Sequence, residues 1–385
     1  MRSVSDTIAR LAANRRSTAG SRPIETAGRL VAFGPCEPNP GALVAKTYIP
    51  RDLADDAPLV VVLHGCTQTT AGYDAASGWS ELADDLGFAL LYPEQQRANN
   101  PNLCFNWFNP SDTQRGAGEA QSIAAMIEAM VAAHRLDRRR VFITGLSAGG
   151  AMAAVMLATY PELFAGGGIV AGLPYGAANT IPEAFDRMRG HGGPSLIELA
   201  RLLDGASKHD GPWPKLSLWH GAEDRTVSSS NTEDLIGQWH HVHDVGRLPT
   251  RTERIGRTTR RVWEGADGTD VIEAYVVPGM GHGTPLDATG DDALGAAAPF
   301  MLDVGISSTR RMAAFWGLSE TRDGQAIVRK PRRTVAPRAH QETRAPSISL
   351  ASNGPAHRPS SRPASQGDRI TNVIEDALRK AGLMR

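Results

Sequence analysis

The sequence predicts an α/β fold, a mostly parallel central sheet with helices packed on both faces. Three observations carry that reading. Leu59 to Leu63 (LVVVL) is a short apolar run rich in β-branched residues, the pattern of a strand buried on both faces. From there to Val277, similar short runs alternate with stretches of helical periodicity, as βαβ units require. Between Val141 and Thr159 the chain passes from such a run through a glycine-flanked turn directly into an alanine-rich helix.

Taken in order, Leu43 to Ile49 reads as a strand ahead of Leu59 to Leu63. Trp79 to Leu86 reads as a helix and Phe88 to Tyr92 as the next strand. In Glu119 to His134, Ile123, Met126, Ile127 and Met130 recur at helical spacing. Val141 to Thr144 is a strand and Ala148 to Thr159 a helix; further strands follow at Gly168 to Val170, Lys215 to Trp219 and Val271 to Val277. The interval Pro174 to Pro214 has Pro and Gly at both ends and reads as an insertion that forms a lid or a pocket wall. A last helix, about Ala296 to Trp316, is expected to close the domain, and His240, His241 and His243 are expected to cluster in a helix.

This domain is expected over residues 27–318. Ahead of it, Val4, Ile8 and Leu11 suggest a short amphipathic helix in an otherwise flexible extension, 1–26. Behind it, 319–369 is dense in Pro, Arg, Ser and Ala and nearly free of aromatics, the composition of a disordered linker, and 370–385 regains helical spacing. Hydrophobic residues make up 41% and charged residues 21%, so the chain as a whole is globular, and its formal net charge of zero gives no global argument for a polyanionic partner. The segment from Ser319 on is nevertheless basic, with 13 Lys/Arg against 6 Asp/Glu. Its Pro and Ser content reads as a solvated linker, and no nucleic-acid partner is expected. No apolar run is long enough for a membrane span, and the N-terminus lacks the apolar core of a secretory signal. The three cysteines, Cys36, Cys66 and Cys104, are too few for a disulfide framework; one pair could bridge in an oxidising compartment, and the sequence leaves open whether it does.

The chemistry begins at Ser147. It stands in G-x-S-x-G between a predicted strand and a predicted helix, the context in which a strained turn lifts a serine hydroxyl out of a sheet. Gly145 and Gly149 supply the small neighbours, and the following helix offers its positive end to developing negative charge. A serine hydroxyl needs a base, and in this arrangement the partners follow in the order Ser, acid, His. Asp224 lies in the loop after the strand Leu216 to Trp219 and is the expected acid; Glu223 beside it is the alternative, and Asp234, in a predicted helix, a weaker one. Among 11 histidines, His282 alone combines a position downstream of the acid with a glycine-rich loop after a strand, and is the expected base. The oxyanion donors are expected to be the backbone N–H groups of Ala148 and Cys66, the latter in the loop after LVVVL. Asn106 and Trp107, and Tyr175 after the strand at Ile169, are candidate substrate contacts, although aromatic residues in such runs also serve as core.

The ordered set HGCTQ (64–68), NWF (106–108), GLSAGG (145–150), H-G-x-x-D-x-T-V (220–227) and GMGH (279–282) resembles the PHB depolymerase-type esterases, which include short-chain polyhydroxyalkanoate depolymerases and esterases acting on feruloyl and acetyl esters of plant polysaccharides. The resemblance spans about residues 40 to 318. It implies an α/β-hydrolase fold, ester hydrolysis without a cofactor or metal, a small-molecule or polymeric ester substrate, and a triad on Ser147, Asp224 and His282. Two features depart from many members: the chain opens on an Arg-rich polar segment where a secretory signal is common, and it carries a basic extension where polymer-degrading relatives carry a substrate-binding domain. The rival readings are a peptidase of the same fold and a non-catalytic adaptor working through the basic tail. Deleting residues 319–385 separates the last from an esterase, which would keep turnover on a soluble ester.

Overall fold

The structure is a computed structural model and describes residues 28–290 and 293–319. The expected N-terminal extension, the linker beyond Ser319 and the helix at 370–385 lie outside the described residues. In chain order the elements are β1 (Val31–Ala32), β2 (Val44–Tyr48), β3 (Leu59–Leu63), α1 (Thr70–Ser77), α2 (Trp79–Leu86), β4 (Ala89–Glu94), α3 (Pro110–Thr113), α4 (Gly118–His134), β5 (Val141–Leu146), α5 (Ala148–Thr159) and β6 (Gly166–Val170). They continue with α6 (Ile181–Met188), α7 (Leu196–Ala206), β7 (Lys215–Gly221), α8 (Ser230–Trp239), β8 (Arg251–Ile255), β9 (Thr258–Glu264), β10 (Asp270–Val277), β11 (Thr284–Leu286), β12 (Met301–Asp303) and α9 (Ser308–Phe315).

One sheet of ten strands runs β1-β2-β4-β3-β5-β6-β7-β10-β9-β8. Its centre, β4 to β10, is parallel, while β1, β2, β9 and β8 join antiparallel at the two ends. The sheet is therefore mixed, where the sequence suggested a mostly parallel one. The β8–β9 hairpin escaped the pattern because its strands carry few apolar residues; ion pairs from Arg251 to Asp270 and from Arg260 to Glu253 and Glu273 bind its side chains instead.

The central strands are buried on both sides, and their two-residue period divides two cores. Leu59, Val61 and Leu63 of β3 face the core under α4 and α5, whereas Val60 and Val62 face the one under α1, α2 and α9. Every residue of α5 is buried, which its small and apolar sequence permits. On the other face Trp316 stacks between Phe142, at 5.0 Å, and Trp79, at 5.9 Å. Among the described residues no helix is long and apolar enough to cross a membrane.

Two expected helices are corrected. The stretch Ala296 to Trp316 is not continuous: β12 pairs in parallel with β11, and only α9, from Ser308, is helical. Pro299 removes a backbone donor, Gly305 takes φ +72°, and Ser307 then caps α9 by accepting a hydrogen bond from Arg310 N. His241 and His243 likewise lie past the end of α8, which closes at His240. Asp244, at φ +51°, turns the chain back there, and His243 packs against Trp239 at 6.3 Å.

Candidate active site

Ser147 sits on the turn between β5 and α5 with φ 57° and ψ −118°, a conformation a non-glycine residue holds only when its surroundings fix it. Its amide donates to Val170 O at 2.9 Å, and its hydroxyl has no hydrogen-bond partner among the described residues. The close approach that presents it depends on Gly149, where a Cβ would lie 2.5 Å from the carbonyl oxygens of both Leu63 and His64. The start of α5 thereby reaches the end of β3, bringing the Ala148 amide and the loop of Cys66 to the same end of the sheet. Neither of these two amides has an acceptor among the described residues.

The Cys66 loop is held from outside. Cys66 forms a disulfide with Cys104, and Thr67 N donates to Asn102 O at 2.6 Å. The pairing that sequence left open thus ties the loop after β3 to the segment before Asn106, and Cys36 is free.

Asp224 and His282 are separated by 58 residues, and the β7–β10 pair brings them together. These strands run parallel with Gly221 opposite Val277, so the loops leaving them start side by side. A Cβ on Gly221 would run into the carbonyls of Met280 and Gly281, so only glycine admits this contact. Ala222 N to Val277 O and Glu223 N to Met280 O, both 2.9 Å, then lace the loops together. The result is a hydrogen bond of 2.7 Å between His282 Nδ1 and Asp224 Oδ2. His282 is anchored further by β11 and β12: Thr284 N donates to Phe300 O at 2.8 Å, and the Phe300 ring meets the imidazole edge to face at 6.0 Å. The strand that sequence read as helix therefore supports this histidine.

The Asp224 side chain is fully buried. Burial opposes its charge, but hydrogen bonds from His220, His282 and Val227 N outweigh it and hold the carboxyl well below the usual carboxylate range. Oδ1 accepts from Thr226 N and Val227 N at 2.8 and 2.9 Å, and His220 Nε2 lies 3.4 Å from Oδ2. Glu223, the alternative acid, is exposed, and Asp234 lies within α8.

The three candidate substrate contacts differ. Trp107 is buried, with its ring edge-on to Phe108 at 5.5 Å. Tyr175 is half-buried, and its backbone is clamped by Gln238, which accepts from Tyr175 N at 3.1 Å and donates to Tyr175 O at 2.8 Å. Asn106 is engaged internally: its backbone and side-chain N–H groups both donate to Glu119, at 2.8 Å, and its oxygen accepts from Asn100.

Sequence reasoning missed Glu119 and Gln238. Glu119 also accepts from Gln95, whose backbone N–H donates to His64 Nε2, so one carboxyl spans the segments carrying Asn106 and the end of β3. Burial and the nearby charge of Asp112 push Glu119 up to about 8, against the three N–H donors that favour its ionised form. Its burial was legible, though not its partners: Glu119 continues, four residues earlier, the apolar stripe of Ile123, Ile127 and Met130. Gln238 also donates to Leu199 O, while Asn231 holds Arg187 O and Ser228 N donates to Met188 O. These bonds pin α6 and α7, the predicted insertion, onto the α8 segment.

Comparison with known proteins follows the same lines. A family model described as "Esterase PHB depolymerase" matches residues 43–263. The chain is 43% identical over 282 residues to a poly(3-hydroxyalkanoate) depolymerase C of Paucimonas lemoignei, covering 73% of this chain and 68% of that one. It is 28% identical to feruloyl esterase B of Talaromyces funiculosus, covering 69% and 76%. The solved structure of an acetyl xylan esterase from Aspergillus awamori shares the fold, with a TM-score of 0.64 and 24% identity over 76% of this chain and all of that one.

Proposed function

The chain belongs to the PHB depolymerase esterase family, and on that premise we propose that it cleaves hydroxyalkanoate esters by acyl transfer through Ser147, His282 and Asp224. That it is an esterase of this α/β-hydrolase family follows from membership; the substrate and the residue roles are the proposal. The observation that carries it is the 2.7 Å bond between His282 Nδ1 and Asp224 Oδ2 at the sheet end where Ser147 holds its strained turn. With Nδ1 donating to the carboxylate, Nε2 is the nitrogen left to take a proton.

In the proposed cycle Ser147 attacks the ester carbonyl as His282 Nε2 accepts its proton, and Asp224 stabilises the imidazolium. The Ala148 and Cys66 amides, which lack acceptors among the described residues, hold the oxyanion. His282 returns the proton to the leaving alcohol, and water resolves the acyl-enzyme by the reverse sequence. Residues 27–318 form the catalytic domain. The insertion 174–214 serves as a fixed wall, supported by the bonds from Gln238, Asn231 and Ser228 that pin it. Trp107 and Tyr175 face the acyl group, and Asn106 keeps Trp107 in place. Hydroxyalkanoate is preferred over feruloyl or acetyl polysaccharide esters because the 43% relative bears that name and the 28% relative the other.

The test is hydrolysis of p-nitrophenyl esters from acetyl to octanoyl, of soluble hydroxybutyrate oligomers and of methyl ferulate, by the full chain and by Ser147→Ala. Turnover of short esters and hydroxybutyrate oligomers by the full chain and not by the variant is expected. Equal turnover by both would remove Ser147 from the reaction, and turnover of ferulate alone would replace the substrate.

A further inference from the structure

Asp224 is bracketed by two histidines, and the proposed cycle uses only one. His220 is fully buried at the end of β7, and its ring has a complete set of neighbours. Nδ1 lies 2.9 Å from Thr232 Oγ1 on α8; Nε2 lies 2.9 Å from Val227 O and 3.4 Å from Asp224 Oδ2. A carbonyl and a carboxylate can only accept, so Nε2 carries a proton. The Thr232 hydroxyl is free to donate to Nδ1 and so to fix that tautomer. The carboxylate then accepts from Thr226 N and Val227 N on Oδ1 and from His282 Nδ1 on Oδ2, and the His220 N–H, whose hydrogen bond goes to Val227 O, lies within 3.4 Å of Oδ2 as a second, longer approach.

We propose that His220 is a positioning residue of the triad: backed by Thr232, it shares the negative charge of Asp224 Oδ2 and holds that oxygen in line with His282 Nδ1. The inference rests on the acyl-transfer reading above. Its chemistry is that of an outer hydrogen bond tuning an inner one. While the polarised N–H of His220 stands 3.4 Å from Oδ2, part of the carboxylate charge is drawn away from His282, which sets how strongly His282 holds its proton. Without that donor the whole charge falls on His282, and the imidazolium is favoured at higher pH.

The experiment compares His220→Leu, His220→Gln and Thr232→Val with the full chain, measuring kcat and KM on a short p-nitrophenyl ester across the pH range, with circular dichroism to verify folding. Leu fills similar space with no donor and is expected to lower kcat by about tenfold to a hundredfold, the size of a lost hydrogen bond to a buried charge, with KM little changed. The acid limb of kcat/KM moves to higher pH in the same variant. Gln, which keeps an N–H, restores most of the rate. Thr232→Val keeps the ring but releases its tautomer, and lowers kcat in the same sense by a smaller factor. A merely structural histidine would lower the melting temperature and leave the acid limb where it was. The inference is overturned if folded His220→Leu keeps the kcat and acid limb of the wild type, or if Thr232→Val does so where His220→Leu fails to fold. Ser147→Ala run alongside separates the two readings: if it is inactive while the His220 and Thr232 variants match wild type, only the role of His220 falls; if it is active, the acyl-transfer reading falls and this one with it.

Discussion

Replacing Asp224 with Asn tests the site most sharply, because the variant is nearly isosteric and its hydrogen bonding can be worked out in advance. Thr226 N and Val227 N, at 2.8 and 2.9 Å, demand an acceptor at Oδ1, so the asparagine oxygen takes that place and its NH2 takes the place of Oδ2. That NH2 then faces His282 Nδ1, 2.7 Å away in the wild type, where a donor now stands. His282 must turn its lone pair at Nδ1 toward the amide and carry its proton on Nε2, the nitrogen that should accept from Ser147. A wrong tautomer of this kind lowers kcat by roughly 10⁴ in the Ser-His-Asp template, a barrier of about 5.5 kcal/mol. Steady-state hydrolysis of a p-nitrophenyl ester should show that loss in kcat with little change in KM. A loss of less than about tenfold in a folded variant would refute the reasoning. The variant should also alter acid stability. The folded pKa of Asp224 is depressed, so the carboxylate stabilises the fold at pH above its unfolded value of about 4, and this is lost as pH falls through the lower folded value. Asp224→Asn should lack that acid-dependent loss.

Three further outcomes follow from packing and charge. Gly149→Ala places a Cβ 2.5 Å from two carbonyl oxygens at the end of β3, so it should lower the melting temperature and reduce kcat at least tenfold, by about 1.4 kcal/mol or more, as the Ser147 turn and the Cys66 loop are forced apart. His243 is pushed down to about 4 by burial, and its Nε2 is buried with no hydrogen-bond partner among the described residues. Its unfolded value of about 6.5 means stability is full above that pH and falls as pH drops toward 4, by up to about 3 kcal/mol, a slope that thermal melts of His243→Gln should lack. Glu119 has the opposite sign: raised to about 8, it stabilises the fold fully below about 4.5 and progressively less as pH rises through 8, by at most about 5 kcal/mol. Glu119→Gln should flatten the decline in melting temperature over that window; an unchanged slope would mean that the carboxyl is ionised throughout.

The sequence by itself determined the parts of this protein whose signals are local. A β-branched run such as LVVVL is buried on both faces whatever surrounds it, and a serine between Gly145 and Gly149, after a strand and before a helix, can only sit on a tight turn. Asp224 and His282 were legible for the same reason, as residues of loops that follow strands. Tertiary structure alone decided what depends on register and on partners far along the chain. The parallel alignment of β7 and β10 sets the 2.7 Å between His282 and Asp224, and no periodicity in either strand encodes that pairing. The β8–β9 hairpin is held by ion pairs rather than by an apolar pattern, and β12 forms inside an apparent helix because Thr284 N needs the Phe300 carbonyl. The partnership of Cys66 with Cys104, the hub at Glu119 and the second histidine on Asp224 belong to the same class. A buried polar group must find a partner, but which one it finds is fixed only when the whole chain has folded around it.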